Sequence, residues 1–252
     1  MKRERIEKIA ALVDKRGVIS LAELCSAFPN VSEMTLRRDL FTLEEEGKVV
    51  RVRGGAKSVK DLQKTSGVPY AKNINLHTGE KRTIGAKAAG LIEAGMSVFI
   101  DGGTTALYFA KEMPDVSCTV FTTGIAIAQE LSKKANVTIH VLGGILKKDN
   151  LSTVASVAPA YFNEVNFEFA IISASAFTPE SGFACDSMME AEQLKLLRSK
   201  AKHTYMMLDS SKIGKIMPYT FATVKDIDVL ITDEAFPMEL KDFFKSKDIV
   251  VM

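Results

Sequence analysis

Two sets of residues in this chain have the types and spacings that do chemistry. The first lies between Val31 and Ala56, VSEMTLRRDLFTLEEEGKVVRVRGGA, where Arg37, Arg38, Lys48, Arg51 and Arg53 crowd around a helix-like run. Arginine grips guanine O6 and N7 through paired N–H groups, and threonine and methionine methyls meet the thymine methyl. Basic side chains along a strand neutralise phosphates instead. The second set is Asp101 to Thr105, DGGTT, at the end of an apolar run. Glycines there let backbone N–H groups approach an anion, a helix N-terminus adds partial positive charge, and two hydroxyls add donors. That combination suits a phosphate. It is neither a dinucleotide fingerprint, which needs G-x-G-x-x-G, nor a P-loop, which needs G-K-[ST]. A glycine-rich turn that simply caps a helix is the alternative reading.

The first set requires a helix and a strand to present it. Leu36, Leu40 and Leu43 share one helical face at the i, i+4, i+7 spacing that packs against a core. The opposite face carries Met34, Arg38, Phe41 and Glu45, with Thr35 and Arg37 on its flanks. In a helix-turn-helix the N-terminal part of the second helix meets the bases, so Ser32, Met34, Thr35, Arg37 and Arg38 are the candidate DNA contacts. The competing reading makes Glu33 and Arg37 an i, i+4 surface pair and Arg38 a solvated residue. Arg51 and Arg53 alternate with Val50 and Val52, so a strand points both the same way, towards phosphates; Lys57 extends this basic stretch. Glu44, Glu45 and Glu46 are unfavourable at a helix C-terminus and mark the end that leaves the DNA.

Around this segment, Ile6, Ile9, Ala10 and Val13 predict a first helix that Gly17 stops. Ser20 caps a short second one, LAELCSAF, and Ser32 a third to about Glu46, with Gly47 past its end. KVVRVRGGA then reads as strand and turn. Three helices and a β wing predict a winged helix-turn-helix over residues 1–57, followed by a linker over 58–79 where periodicity fades. From residue 80 to 252 helices alternate with continuously apolar strands, from EKRTIGAKAAGLIEAG and MSVFID to PMELKDFFKSK and DIVVM. This pattern predicts an open, mainly parallel α/β domain buried on both faces. Ligands of such sheets sit outside the carboxyl ends of the strands, where Asp101, Gly102, Gly103, Thr104, Thr105, Gly143, Gly144, Asp209 and Lys212 fall. Lys212 suits a phosphate or a sugar hydroxyl, and Asp209 accepts from hydroxyls.

The 252 residues are 46% hydrophobic and 25% charged, which excludes a disordered or fibrous chain. Residues 1 to 60 hold 13 Lys and Arg against 9 Asp and Glu, and the remainder 20 against 22. That basic end is the footprint of a nucleic-acid contact confined to one domain. No apolar run approaches the roughly 18 to 20 residues of a membrane span, and the N-terminal segment reads as an amphipathic helix rather than a signal or anchor, so a cytoplasmic chain is expected. Cys25, Cys118 and Cys185 are odd in number and far apart, and His77, His140 and His203 are scattered. Neither disulfide framework nor metal site is expected, and no cofactor.

The stretch from Gly17 to Ala56 resembles the winged-helix signature of DeoR-type bacterial transcriptional regulators: Ser32, Glu33, Thr35, Arg37, Arg38, Asp39 and Leu40, then Leu43, Glu44 and Gly47, then Arg-Val-x-Gly-Gly-Ala, with Arg53 where the family usually has His. EKRTI, DGGTT, VLGG and LDSSKIG are similar to later family segments. The resemblance implies a repressor of a carbohydrate-utilisation operon. Its second domain would be a sensor similar in fold to ribose-5-phosphate isomerase, released from or modulated on operator DNA by a phosphorylated sugar. It implies a homo-oligomer, dimer or tetramer, and Lys81 as a further effector contact near the linker; as a residue alone, Lys81 reads equally as a helix-start pair with Glu80. Thr122, Thr123 and Gly124, and IISASAF from Ile171 to Phe177, depart from the family pattern where the distinctive part of an effector would lie. The alternative is a sugar-phosphate isomerase with an accessory DNA-binding domain and Asp101, Asp209 or Glu190 as base. No isomerase catalytic motif stands out, so a non-enzyme is expected.

Overall fold

The computed structural model describes residues 2–52, 54–59, 73–155, 162 and 164–252. They divide into two compact units, Met1–Thr78 and Gly79–Met252.

In the first unit, α1 (Lys2–Arg16), α2 (Leu21–Ala27) and α3 (Glu33–Glu45) pack on a three-stranded sheet of β1 (Val18–Ser20), β3 (Gly55–Ser58) and β2 (Val49–Val52), in that order. The caps follow the sequence. Ser20 and Glu23 form a capping box on α2, and the Ser32 hydroxyl accepts from Thr35 N. Gly47 takes φ +68 after α3, the left-handed turn that suits glycine. Leu36, Leu40 and Leu43 join Ile6, Ile9, Val13, Ile19 and Leu24 in one buried cluster. The β1 strand was not expected; it pairs antiparallel with β3 and turns the two-stranded wing into a three-stranded sheet. Gly55 permits this, because a Cβ there would lie 2.1 Å from Ile19 O. Ser58, placed by composition in the linker, is the buried last residue of β3, its hydroxyl donating to Asp14 at 2.6 Å. At the other end Thr78 already opens a helix. Residues 60–72 of the expected linker lie outside the described residues.

The second unit is built on a seven-stranded parallel sheet. Its order is β15 (Val250–Val251), β14 (Val229–Thr232), β12 (Ala201–Leu208), β9 (Phe167–Ser173), β4 (Ser97–Ile100), β5 (Cys118–Thr122) and β6 (Val137–Val141). Central strands are buried on both faces. Phe99, Ala170, Ile172, Met206 and Leu230 join one core, while Val98, Ile100, Ile171, Met207 and Ile231, of opposite parity, are buried as well. Helices α4 (Thr78–Ala89), α5 (Thr104–Glu112), α6 (Ile125–Leu131), α7 (Met188–Arg198) and α8 (Met238–Lys245) alternate with the strands. Gly85 of α4 sits where a Cβ would come within 2.8 Å of the α5 backbone at Tyr108 and Phe109, so these helices touch main chain to main chain. Two antiparallel features interrupt the alternation: a hairpin of β7 (Ile145–Lys147) and β8 (Ser152–Val154), and a small sheet of β10 (Ala176–Thr178), β11 (Gly182–Cys185) and β13 (Tyr219–Ala222). Phe177 and Phe183 pack on Phe244 of α8, with centroids 5.2 and 6.2 Å away, and tie this small sheet to the main core. Among the described residues no helix is long and apolar enough to cross a membrane.

Candidate functional site

Helix α3 and strand β2 carry the first site. Ser32 and Thr35 are bound to each other, hydroxyl to hydroxyl at 2.9 Å, so both serve the helix start as well as its outer surface. Met34 is 72% exposed, and Arg37 and Arg38 are exposed beside it. Arg37 is held by Glu33, with Nε and Nη2 donating to Oε1 at 2.9 and 2.8 Å. Arg38 forms no ion pair among the described residues. On β2, Arg51 is pinned to α3: its backbone N and Nε donate to the two carboxylate oxygens of Glu44 at 2.9 and 2.6 Å. Its guanidinium lies 5.1 Å from the centroid of the exposed Phe41 ring. Arg37 and Arg51 line one cleft between helix and wing, with Leu21, Leu40, Val52, Gly54 and Gly55. Lys57 is half-buried on β3, opposite Val50. Arg53 lies outside the described residues.

Two of the three glutamates at the end of α3, Glu44 and Glu46, have local partners. Glu44 holds Arg51, and Glu46 holds Arg3 and Lys48, the latter at 2.9 Å. Beneath the helix, Asp39 is 1% exposed and takes Nε and Nη2 of Arg5 at 2.6 and 3.2 Å, which locks α3 to α1. Sequence reasoning missed this pair, although an aspartate one residue before the buried Leu40 was the available signal.

The second site runs along the carboxyl edge of the parallel sheet. Asp101 follows β4, Ser173 ends β9 and Asp209 follows β12. Those strands are consecutive neighbours, so Asp101 and Asp209 stand about two strand spacings, roughly 10 Å, apart. Asp101 is fully buried, accepting from Gly102 N at 2.6 Å and from Ser173 N and Oγ at 3.4 Å. Burial first, and then Glu190, push its carboxyl well above the usual carboxylate range. Gly103 caps α5 at φ +113, and Thr104 and Thr105 are buried behind it.

At the other end is a cluster of lysines. Lys81, on α4, is 1% exposed, so it is a buried rather than a surface lysine. Burial and then Lys212 lower its pKa to about 7, against the pull of Asp209 and Glu80. Lys215 follows across the Gly214 turn, and its pKa is lowered to about 8 by burial and then Lys212. Asp209 caps the turn Ser210–Lys212 that carries Lys212, accepting from Ser211 N at 3.1 Å.

The β7–β8 hairpin lies over the DGGTT loop. A Cβ on Gly102 would come within 2.6 Å of Ser152 Cβ, Thr153 N donates to Thr123 O at 2.8 Å, and Ile125 N to Leu151 O at 2.9 Å. Lys147 ties the hairpin to Asp186 at 3.0 Å and to Glu190, and Asn150 adds a bond to Glu190 at 3.2 Å. Gly143 and Gly144 stay exposed at its base, with Gly144 against Val154 O. Lys147, Asn150, Ser173 and Lys215 were not singled out from sequence; Lys215, three residues after Lys212, was the most accessible of them. Among the described residues no group of His, Cys, Asp and Glu could hold a metal ion. Cys118 and Cys185 are buried, and burial pushes the Cys185 thiol up to about 12.

A winged-helix unit carrying exposed arginines, joined to an open α/β unit with a polar cluster at its sheet edge, has the architecture of a ligand-responsive DNA-binding regulator. The chain belongs to the DeoR family of transcriptional regulators: residues 5–61 match its DeoR-like helix-turn-helix domain and residues 76–234 its DeoR C terminal sensor domain. It is similar to the HTH-type transcriptional regulator IolR of Bacillus subtilis, 31% identical over 99% of this chain and 98% of that one. It is also similar to the lactose phosphotransferase system repressor of Streptococcus mutans, 31% identical over 99% of each. Among solved structures, ribose 5-phosphate isomerase A of Methanocaldococcus jannaschii aligns over 53% of each chain with a TM-score of 0.39 and 15% identity.

Proposed function

We propose that this regulator represses a carbohydrate-utilisation operon, as a homo-oligomer in the cytoplasm, and that a phosphorylated sugar modulates its hold on operator DNA. The observation that carries the effector class is the lysine cluster. Lys81, Lys212 and Lys215 gather around Asp209 at the sheet edge, two of them with depressed pKa values, and like charges brought together in a buried place are favoured once an anion joins them. Asp101, Ser173 and the Gly102–Thr105 loop, two strands away, are polar partners for the hydroxyls of the same ligand. Gly143 and Gly144 border that end. The names of relatives such as the lactose phosphotransferase system repressor support the carbohydrate assignment.

On the DNA side, Arg38 and Met34 are the reading side chains. Arg53 and Lys57 supply charge, Arg37 and Arg51 stand in the helix–wing cleft, each held by a glutamate, and Ser32 and Thr35 fix the helix start near the backbone. The winged-helix unit, through Ser58 of β3, acts as the DNA-binding domain, and the α/β unit, from the helix that opens at Thr78, as the sensor. We read the chain as having no catalytic role. Both oxygens of Asp101 already accept, from Gly102 N and from Ser173 N and Oγ, and both oxygens of Glu190 are engaged by Lys147 and Asn150.

The test is a mobility-shift assay on DNA from upstream of its own gene, with and without a panel of pentose and hexose phosphates. A specific complex that one phosphate weakens or strengthens, and its unphosphorylated parent does not, is expected. A specific complex indifferent to every member would refute the effector reading, and turnover of any member would restore the isomerase alternative.

A further inference from the structure

The carboxylates on α3 present a physical problem, because they stand beside side chains meant for a polyanion. Glu33 and Glu44 are not spread over the surface; each sits at hydrogen-bond distance from one arginine of the helix–wing cleft. Glu33 takes two donors of Arg37, and Glu44 takes the backbone N and Nε of Arg51. An arginine so paired offers a phosphate almost no net charge, since the attraction of the guanidinium is offset by the repulsion of a carboxylate about 3 Å from it. Electrostatic attraction supplies essentially all sequence-independent binding to DNA, so these pairs act chiefly on wrong-sequence complexes. Arg38, between them in the chain, is left unpaired among the described residues.

We propose that Glu33 and Glu44 are specificity determinants of DNA binding, counter-charges that cancel Arg37 and Arg51 towards DNA of any sequence and leave discrimination to Arg38. The inference goes beyond the DNA-binding reading and rests on it. Non-specific complexes shift along the duplex and profit from every free cation. An operator complex has its register set by base contacts and profits only where a phosphate lies within reach. Glu44 also orders Arg51 in advance, with two acceptors for two donors and the Phe41 ring beneath the guanidinium. A glutamine would offer one acceptor for the two donors.

The experiment uses the full chain and the variants Glu33→Gln, Glu44→Gln and their double, with Glu44→Asp as the charge-retaining control. Binding to a random-sequence duplex and to the upstream operator fragment is followed by fluorescence anisotropy at 50 and 200 mM salt. Each lost carboxylate adds about 0.9 to the salt slope, so the gain on random DNA should be about 3.5-fold larger at 50 mM than at 200 mM for either single variant, and about 12-fold for the double. The operator-to-random ratio should fall in all three, and Glu44→Asp should keep the parental slope. Unchanged slopes on random DNA, or a ratio that holds or rises, would overturn the proposal alone. Failure of the unaltered chain to bind any duplex would overturn the DNA-binding reading with it.

Discussion

Lowering the pH through 7 should tighten the sensor's hold on an anion, because Lys81 is half discharged there. Burial first and Lys212 second bring its ammonium from 10.5 to about 7 in the free chain. A bound dianion restores the charged form, so binding takes up a proton wherever the free side chain lacks one. About nine in ten Lys81 side chains carry the proton at pH 6 and roughly one in a hundred at pH 9, so affinity for a ligand of constant charge should fall about 90-fold, or ~2.7 kcal/mol. Most of the fall comes above pH 7 at about tenfold per unit, and Lys215, with its pKa lowered to about 8, steepens it beyond that. Inorganic sulfate is the suitable probe, since it stays a dianion throughout while a phosphate monoester loses its second charge near pH 6. Titration calorimetry in two buffers of different ionisation enthalpy then reads the protons directly: about 0.6 of a proton taken up per sulfate at pH 7 and about 1.4 at pH 8, Lys81 and Lys215 together. Lys81→Met should bind sulfate more weakly and show a flat profile between pH 6 and 7.5. A parent profile that is flat from pH 6 to 9, or binding without proton uptake, would refute the placement of this lysine in the anion site.

The same shift fixes a sign for stability. Unfolded, Lys81 keeps its proton to about pH 10.5; folded, only to about 7. Between those values the unfolded chain binds the extra proton, so stability rises with pH across that window, and below pH 7 the full cost of a buried ammonium is present. That cost is a few kcal/mol. The ligand-free melting temperature of Lys81→Met should therefore exceed the parent's at pH 6, with the gap narrowing steadily above pH 7 and closing only near pH 10.5.

Arg38→Ala should cost about 1 to 3 kcal/mol on the operator and relax preference at one base pair; equal loss on operator and random DNA, measured by anisotropy, would show that it touches only phosphate. Lys212→Ala should leave operator affinity intact in a mobility-shift assay but blunt the response to the effector, and loss of DNA binding itself would make Lys212 structural. Gly55→Ala places a Cβ 2.1 Å from Ile19 O, a backbone clash that no rotamer relieves. It should cost about 2 to 4 kcal/mol in thermal unfolding of the winged-helix unit, and an unchanged melting temperature would contradict the β1–β3 pairing.

What could be read from sequence is what short-range rules control. Leu36, Leu40 and Leu43 announce a buried helical face whatever lies opposite, and Ser20, Ser32 and Gly47 announce helix ends through bonds to residues two to five positions away. The parallel strands announced themselves as apolar runs because both faces of the sheet are covered. The β1 strand and the β7–β8 hairpin did not, since three-residue strands carry almost no periodicity and their existence is decided by partners elsewhere: Gly55 for β1, and Thr123, Asp186 and Glu190 for the hairpin. Lys81 shows the same limit in the site. Its position at the start of α4 was legible, but not that packing would bury it beside Lys212, and that burial gives it chemistry.

Glu44 marks where the two kinds of information meet. Read locally it opposes the helix dipole and repels DNA; read across the strand turn, seven residues on, it holds Arg51. The sensor uses the reverse arrangement, cations set near cations so that a ligand relieves their repulsion. One site therefore keeps cations cancelled before a polyanion, and the other, on the proposed reading, gains a proton to meet its anion. On this reading Glu33 and Glu44 damp the salt dependence of DNA binding at Arg37 and Arg51, and the pH dependence of effector binding comes from Lys81. Because the two dependences arise from different residues, each can be varied without moving the other, and a change in operator binding with pH that vanishes in Lys81→Met would have to pass through the sensor.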